Sequence, residues 1–195
     1  MEKKDKSVVC AMVMGDGHIR PAKPELAISH CDAQVEYLNH KLNILCDLFN
    51  KSVSISRVKS RNDTNTFNRF FMTHRYFRVL RKWCYKDGYK QFTRKLLNKF
   101  THHAIAIWYM DDGSLYPKKR NGKVHAYELV ISCCVSTEKE VNVIVDYFKE
   151  VHDVKFTIKR NKGRFSIRCG TTQARKFIDI VKPFVIPCMQ YKVCM

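Results

Sequence analysis

The sequence lacks the long apolar segments that mark membrane and secreted proteins. No stretch of about 18 apolar residues occurs, and the first five residues, Met1 to Asp5, have no adjoining signal-peptide core. Acidic residues are also scarce: 36 basic against 18 acidic residues leave a formal net charge of +18 on 195 residues. So large a positive excess predicts a polyanionic partner, and because no membrane span is present, we expect nucleic acid and not a membrane.

Zinc and disulfide patterns are missing as well. The chain has nine cysteines but no Cys-x-x-Cys, and the one close pair is the adjacent Cys133-Cys134, which argues against a zinc site. Cys10, Cys46 and Cys134 sit within apolar runs, which favours small buried thiols. We therefore expect an intracellular, reducing compartment, namely the cytoplasm of a bacterium or phage-infected cell, or an organelle matrix.

No linker rich in proline or glycine divides the chain, but two stretches repeat each other. Residues 9–17 and 105–113 are both apolar or small runs that end in an acid and a glycine, with Asp16 and Asp112 as the acids. An aspartate at the end of a helix is repelled by the partial negative charge there. Because this happens twice, the pattern predicts a positive partner, and a divalent cation is the candidate.

The segments after each acid also match. Both copies have a strand with Glu-Leu-x-Ile-Ser, at residues 25–29 and 128–132, and then a helix, which we expect Asp32 to cap in the first copy and Ser136 in the second. Alternation and helical spacing predict the remaining elements: strands at 53–59, 66–72, 155–159 and 164–169, closing helices at 73–83 and 171–182, and a basic turn at 117–123.

This order predicts an α+β fold made of two αββαββα units related by a pseudo-twofold axis. Each unit has one four-stranded antiparallel sheet, and the two acidic helices meet at the interface. We expect the first unit at 1–84, a packed connector at 85–100 and the second unit at 101–195, with Thr101 capping the second acidic helix.

The predicted sheets carry positive charge on one face. In the second copy, Phe156 and Ile158 oppose Lys155 and Lys159, so an apolar face and a basic face alternate. The first copy slips phase at residues 57–59, which a β-bulge would explain. A basic antiparallel ribbon fits the major groove of DNA. The candidate DNA-binding residues are Arg20, Lys23, Arg57, Lys59, Arg61, Lys118, Lys119, Arg120, Lys123, Lys155, Lys159, Arg164 and Arg168.

The two acidic helices bury their apolar surfaces best against each other, and small residues such as Ala11 and Ala106 permit a close approach. Asp16 and Asp112 would then meet. Two close carboxylates repel unless a cation binds them. Mg²⁺, with Mn²⁺ as a substitute, would complete a site for phosphodiester hydrolysis.

The stretches ending Met-Gly-Asp-Gly and Met-Asp-Asp-Gly resemble the paired signature of LAGLIDADG homing endonucleases of the single-chain, two-motif type. The second copy is close to the family form, whereas the first has Val9-Cys10-Ala11 for the opening Leu-Ala-Gly. Residues 87–92 and 182–192 also look like segments of this family, so the resemblance spans nearly the whole chain.

The resemblance implies a saddle of two sheets straddling DNA, and a monomeric enzyme serving intron or intein mobility. Asp16 and Asp112 would hold the divalent metals, assisted by backbone oxygens of Gly15 and Asp111. Lys90 and Lys192 would lie near the scissile phosphates. The family further implies a long asymmetric duplex target, cut on both strands to leave short 3′ overhangs.

Two other functions remain open. One is an RNA-binding splicing maturase that takes intron RNA, with or without cleavage, although the presence of both acids favours cleavage. The other is a DNA-binding regulator of the same fold without catalysis, which would typically have lost an acid or gained a helix-turn-helix extension. Because the first motif begins near residue 9 and the chain ends at Met195, we expect no room for such an extension. His102 and His103 lack the spacing of a His-metal nuclease, so we expect them to start a helix or contact phosphate.

Overall fold

The structure is a computed structural model that describes residues 2–59, 66–133, 135, 137–161 and 164–195. Arg61, Cys134 and Ser136, which carried predictions, lie outside these residues. The helices are α1 (Lys3–Met14), α2 (Val35–Phe49), α3 (Tyr76–Cys84), α4 (Arg94–Leu97), α5 (His102–Asp112), α6 (Glu138–His152) and α7 (Thr171–Val181). The strands are β1 (His18–Ile19), β2 (Glu25–Cys31), β3 (Ser56–Lys59), β4 (Thr66–Thr73), β5 (Tyr85–Lys86), β6 (Tyr89–Lys90), β7 (Gly113–Arg120), β8 (Lys123–Cys133), β9 (Thr157–Asn161) and β10 (Arg164–Gly170).

Two four-stranded antiparallel sheets dominate the fold, in the orders β1-β2-β4-β3 and β7-β8-β10-β9. The element order of the first half is repeated in the second, which confirms the predicted α+β class and its duplication. The closing strand β10 alternates as its sequence predicts, with Phe165, Ile167 and Cys169 buried. Each sheet therefore has one face on the helical core and one open face.

The core of the molecule is the contact between α1 and α5. Residues 7–14 of α1 and 104–110 of α5 are buried on every side, as expected of helices that are apolar all round. Thr101 caps α5 as predicted, because its hydroxyl accepts from the Ala104 N–H at 3.2 Å. Among the described helices, none has the length and apolar character that a bilayer span requires.

The predicted caps of the two long helices are wrong. Asp32 belongs to a short 3₁₀ turn before α2, and its carboxylate accepts instead from the Arg57 guanidinium at 2.6 Å and the Asn68 amide at 2.7 Å. In the second half Thr137 caps α6, in a reciprocal pair with Glu140. Asp32 bonds to strand side chains because the 3₁₀ turn separates it from the first turn of α2.

The predicted basic turn at 117–123 is a long β-hairpin. β7 continues to Arg120, and the chain reverses at Asn121 and Gly122, whose φ angles of 50° and 75° suit a two-residue turn. Pro117 is tolerated because β7 is an edge strand. The bulge also lies in this hairpin, at Lys118/Lys119, whereas β3 pairs regularly with β4.

The connector carries a smaller hairpin, β5–β6, which turns at Asp87 and Gly88 with φ angles of 51° and 84°. The sequence indicates this turn through its Asp-Gly pair. Cys10 and Cys84 are buried with their Sγ atoms 3.5 Å apart, whereas Cys31 and Cys194 are exposed. The expected burial of cysteines therefore holds for only some of them.

Candidate functional site at the ends of the motif helices

The C-terminal ends of α1 and α5 lie against each other at the interface of the two halves. A Cβ on Gly15 would lie 2.1 Å from Asp111 Oδ2, so glycine at this position permits the close approach. The Asp16 N–H donates to the same Asp111 oxygen at 3.1 Å. The predicted meeting of the two helix ends is therefore present, and the side chain of Asp111 makes the contact across it.

Asp112, the last residue of α5, is held from within its own helix. The Trp108 indole N–H donates to Asp112 Oδ2 at 3.0 Å. Burial, followed by the charges of Asp111 and Asp16, raises the pKa of Asp112 to about 7. A carboxyl whose ionisation is opposed by neighbouring carboxylates is a suitable oxygen ligand for a divalent cation, which would relieve that repulsion.

Asp16, just beyond α1, is more open, with 38% of its side chain exposed. Burial raises its pKa, the Asp111 charge adds to this effect, and Lys41, Lys90 and Lys192 oppose it. Both predicted metal-binding acids therefore place carboxylate oxygens, the type of ligand that a divalent cation takes, at the adjoining helix ends.

The two lysines that the family resemblance assigned to the site both reach the ends of the motif helices. Lys90, on β6, donates to the Gly15 carbonyl, and Lys192, near the C-terminus, donates to the Met110 carbonyl at 2.5 Å. Lys192 is buried, and the Tyr109 hydroxyl fixes its backbone by donating to the Lys192 carbonyl at 2.7 Å. Cations at the last carbonyls of a helix also compensate its dipole.

The family resemblance assigned a metal-binding role only to the backbone of Asp111, but its side chain is the centre of a buried polar cluster. Lys41 of α2 donates to Asp111 Oδ1, and both side chains are fully buried. The Tyr37 hydroxyl donates to the same oxygen at 2.8 Å. A lysine between Leu38 and Leu45 on the apolar stripe of α2 was the available signal, since an unpaired buried lysine is strongly disfavoured.

His30 of β2 completes this cluster. Among the described residues, ligand atoms of Asp16, His30 and Asp111 all lie within 4.8 Å of one another. Burial and the Lys41 charge lower the pKa of His30 to about 4, so the ring is neutral. Its Nε2 then accepts from Lys41 at 3.1 Å, and its Nδ1–H donates to Gln34 at 3.0 Å.

The open face of the second sheet carries the basic residues predicted for it, but an acid partly offsets them. Lys159 and Arg164 are exposed, whereas Glu128 binds both Lys118, at 2.6 Å, and Arg168, at 3.2 Å. Lys155 precedes β9, and the hairpin end presents exposed Lys119, Arg120 and Lys123.

In the first sheet, Lys23 and Lys59 are exposed, while Arg20 pairs with Glu25 at 2.9 Å and Arg57 with Asp32 at 2.6 Å. The candidates missed Arg69, which lies on the open face of β4.

Arg69 stacks on Phe67 and Phe71, with guanidinium-to-ring distances of 5.7 and 4.8 Å. Alternation along β4 was the missed signal, because Phe70 and Met72 are buried and Arg69 therefore points to the opposite face.

Comparison with known proteins decides the family. The model of the LAGLIDADG DNA endonuclease family matches residues 6–177. The chain belongs to this LAGLIDADG family. A probable intron-encoded endonuclease of Wickerhamomyces canadensis is 23% identical over 204 residues, which cover 99% of this chain and 85% of that protein.

Another match is to a much longer protein. A protein named RecA, from Mycobacterium shimoidei, is 27% identical over 197 residues, 95% of this chain but 45% of that protein, so the chain spans less than half the length of this relative. The solved homing endonuclease I-WcaI, bound to its DNA recognition sequence, has a TM-score of 0.82 at 20% identity, covering 100% of this chain and 87% of that one. This likeness shows a shared fold.

Proposed function

We propose that the chain is a metal-dependent homing endonuclease that cuts both strands of a long, asymmetric DNA duplex and leaves short 3′ overhangs. The observation that carries the proposal is the packing of α1 against α5, with Asp16 and Asp112 at the adjoining helix ends and Lys90 and Lys192 on the carbonyls beside them. The family membership and the DNA-bound fold relative support the same function.

In this proposal, the carboxylates of Asp16 and Asp112 hold the divalent cation, with the backbone oxygens of Gly15 and Asp111 as further ligands. Burial and the neighbouring charges of Asp111 and Asp16 raise the pKa of Asp112, and a bound cation would offset both effects, which supports the fit. Mg²⁺, or Mn²⁺ in its place, would supply Lewis-acid stabilisation of charge during phosphodiester hydrolysis. Lys90 and Lys192 keep positive charge beside the acids, where a phosphate would approach.

The substrate follows from the two open sheet faces. Their exposed lysines and arginines suit phosphate contacts along a duplex, and aromatic-stacked Arg69 suits a base edge or phosphate. We also infer that the protein acts as a monomer, with its units at 1–84 and 101–195 joined by 85–100. Intron RNA as a partner stays an untested prediction.

The match to under half of a longer RecA-named protein, and to nearly all of an intron-encoded relative, supports a mobile-element role in an intron or intein. The target would then be the sequence formed by joining the DNA on the two sides of the mobile element.

Incubation of the purified protein with that joined duplex tests the proposal. We expect a double-strand break at one position in Mg²⁺ or Mn²⁺, and none in EDTA or in a duplex that still contains the insertion. Cleavage that persists in EDTA, or no cleavage of the joined sequence in either metal, would refute it.

A further inference from the structure

Within the part of the chain that the structure describes, the buried pair of Lys41 and Asp111 has no charged equivalent at the matching positions of the other half. Helices α2 and α6 each have 15 residues and occupy matching places after the shared strand sequence. Lys41 of α2 therefore corresponds to Ile144 of α6, and both are fully buried. On the motif helices, Asp111 corresponds to Gly15. The pseudo-symmetric site therefore holds a charged pair on the Asp16 side and an apolar residue with a glycine on the Asp112 side.

The geometry of Asp111 links this pair to the first acid. One of its oxygens, Oδ1, accepts hydrogen bonds from the Lys41 ammonium and the Tyr37 hydroxyl. The other, Oδ2, accepts a hydrogen bond from the Asp16 N–H at 3.1 Å. The two oxygens belong to one rigid carboxylate, so fixing Oδ1 also fixes the acceptor that holds the Asp16 backbone.

Although Asp16, His30 and Asp111 have the spacing of a metal site, a cation is already present among the three. The Lys41 ammonium contacts both Asp111 Oδ1 and His30 Nε2, and it lies 4.4 Å from the centre of the Tyr37 ring. A carboxylate oxygen, an imidazole nitrogen and an aromatic ring thus surround this ammonium, and each of them attracts positive charge. The cluster is therefore built around the lysine.

The second acid is held differently. Asp112 takes its hydrogen bond from Trp108, one turn earlier in the same helix, and needs no contact from the other half for this. The first acid takes its backbone anchor from the second half, through Asp111. The two acids thus differ in what orients them.

We propose that Lys41 is a positioning residue that fixes Asp16 through the Asp111 carboxylate, and that it thereby serves one of the two strand cuts more than the other. The second clause rests on the proposed nuclease function, whereas the first concerns the protein alone. A buried ion pair that only stabilised the fold would affect both cuts alike.

Amide hydrogen exchange by NMR on the metal-free, DNA-free protein tests the positioning role. In Lys41→Met, the Asp16 amide should exchange at least about tenfold faster, since its acceptor loses the partner that fixes it. The Gly17 amide, which donates to the Met12 carbonyl at 2.8 Å, should be unchanged. Equal acceleration at Gly17, or no acceleration at Asp16, would overturn the proposal.

Two further variants serve as controls for the exchange measurement. Ile144→Met places methionine at the matching position of the other half and should leave Asp16 exchange unchanged. Lys41→Met combined with Asp111→Asn removes both charges but keeps an oxygen acceptor for the Asp16 N–H, so it should fold even if the single variant does not. This double variant should show the same fast exchange at Asp16, and failure of both Lys41 variants to fold would mark the pair as structural and end the proposal.

Strand-resolved nicking of an end-labelled duplex tests whether Lys41 serves one of the two strand cuts more than the other. The ratio of the two nicking rates should change at least about tenfold from wild type in either Lys41 variant and stay constant in Ile144→Met. Equal slowing of both cuts, or slowing of neither, would contradict it. If wild-type protein cuts neither strand, the nuclease proposal fails, while the exchange result still decides the role of Lys41.

Discussion

Single residues explain most of the chemistry proposed for this site, because burial, followed by the charges of neighbouring carboxylates, raises the pKa values of Asp16 and Asp112. Asp16, Asp111 and Asp112 come together where α1 and α5 end, and Lys41, Lys90 and Lys192 oppose their mutual repulsion. The adjacent acids Asp111 and Asp112 therefore have different environments: one is buried in an ion pair, and the other accepts from Trp108 and has a raised pKa.

The raised pKa of Asp112 predicts how stability depends on pH without metal. Its value of about 7, against an ordinary 3.8, means that the folded protein retains a proton that the unfolded chain releases. Asp112 therefore costs stability progressively as pH rises from about 4 to about 7, and the cost stays constant above about 7. Urea unfolding in EDTA between about pH 5 and pH 8 should show the advantage of Asp112→Asn over wild type growing up to about pH 7 and then staying constant.

Asp153→Asn is the control for this measurement. Lys176 lowers the pKa of Asp153, so that carboxyl is already ionised across the same range, and its substitution should give a pH-independent difference. If the stability difference between Asp112→Asn and wild type were also independent of pH, the pKa of Asp112 would not be raised in the folded protein.

At the scale of elements, the sequence predicted most of the fold because the repeat fixes the order of helices and strands. The paired motifs predicted α1 and α5, the shared Glu-Leu-x-Ile-Ser predicted β2 and β8, and alternation predicted β10. The hairpin at 113–133 was missed because Pro117 and a run of basic residues imitate a loop, although proline is compatible with an edge strand.

The site was only partly predictable from the sequence, because some of its residues come together only through tertiary packing. Asp16 and Asp112 are marked by the helix pattern, and Lys90 and Lys192 by resemblance. Lys41 and His30 are distant in sequence from Asp111, and only the packing of one half on the other brings the three together. Tertiary contacts of this kind leave little local signal beyond a lysine at a core position.

On the scale of the whole molecule, a net charge of +18 and two open sheet faces predict binding dominated by phosphates. The logarithm of the affinity for duplex DNA should fall linearly with the logarithm of the salt concentration, and each phosphate contact should contribute about −0.9 to the slope. Lys159→Gln combined with Arg164→Gln, on the open face of the second sheet, should therefore reduce the slope by about 2.

Arg78→Gln combined with Lys82→Gln provides the matched control, since α3 is part of the helical layer and both side chains are exposed there. This pair removes the same charge from a surface that we expect not to face DNA. Fluorescence anisotropy across a salt series should give an unchanged slope. Equal effects of the two pairs would mean that binding follows net charge and not the sheet faces.

The most direct test of the account is double-strand cleavage of the joined target in Mg²⁺ by Asp16→Asn and by Asp112→Asn, with DNA binding measured in parallel. Each variant keeps the shape of the side chain and loses the negative charge that holds the cation. We expect each to retain DNA binding and to lose double-strand cleavage, because both acids contribute to one site. Undiminished cleavage by either variant would contradict the assignment of the acids at the ends of α1 and α5.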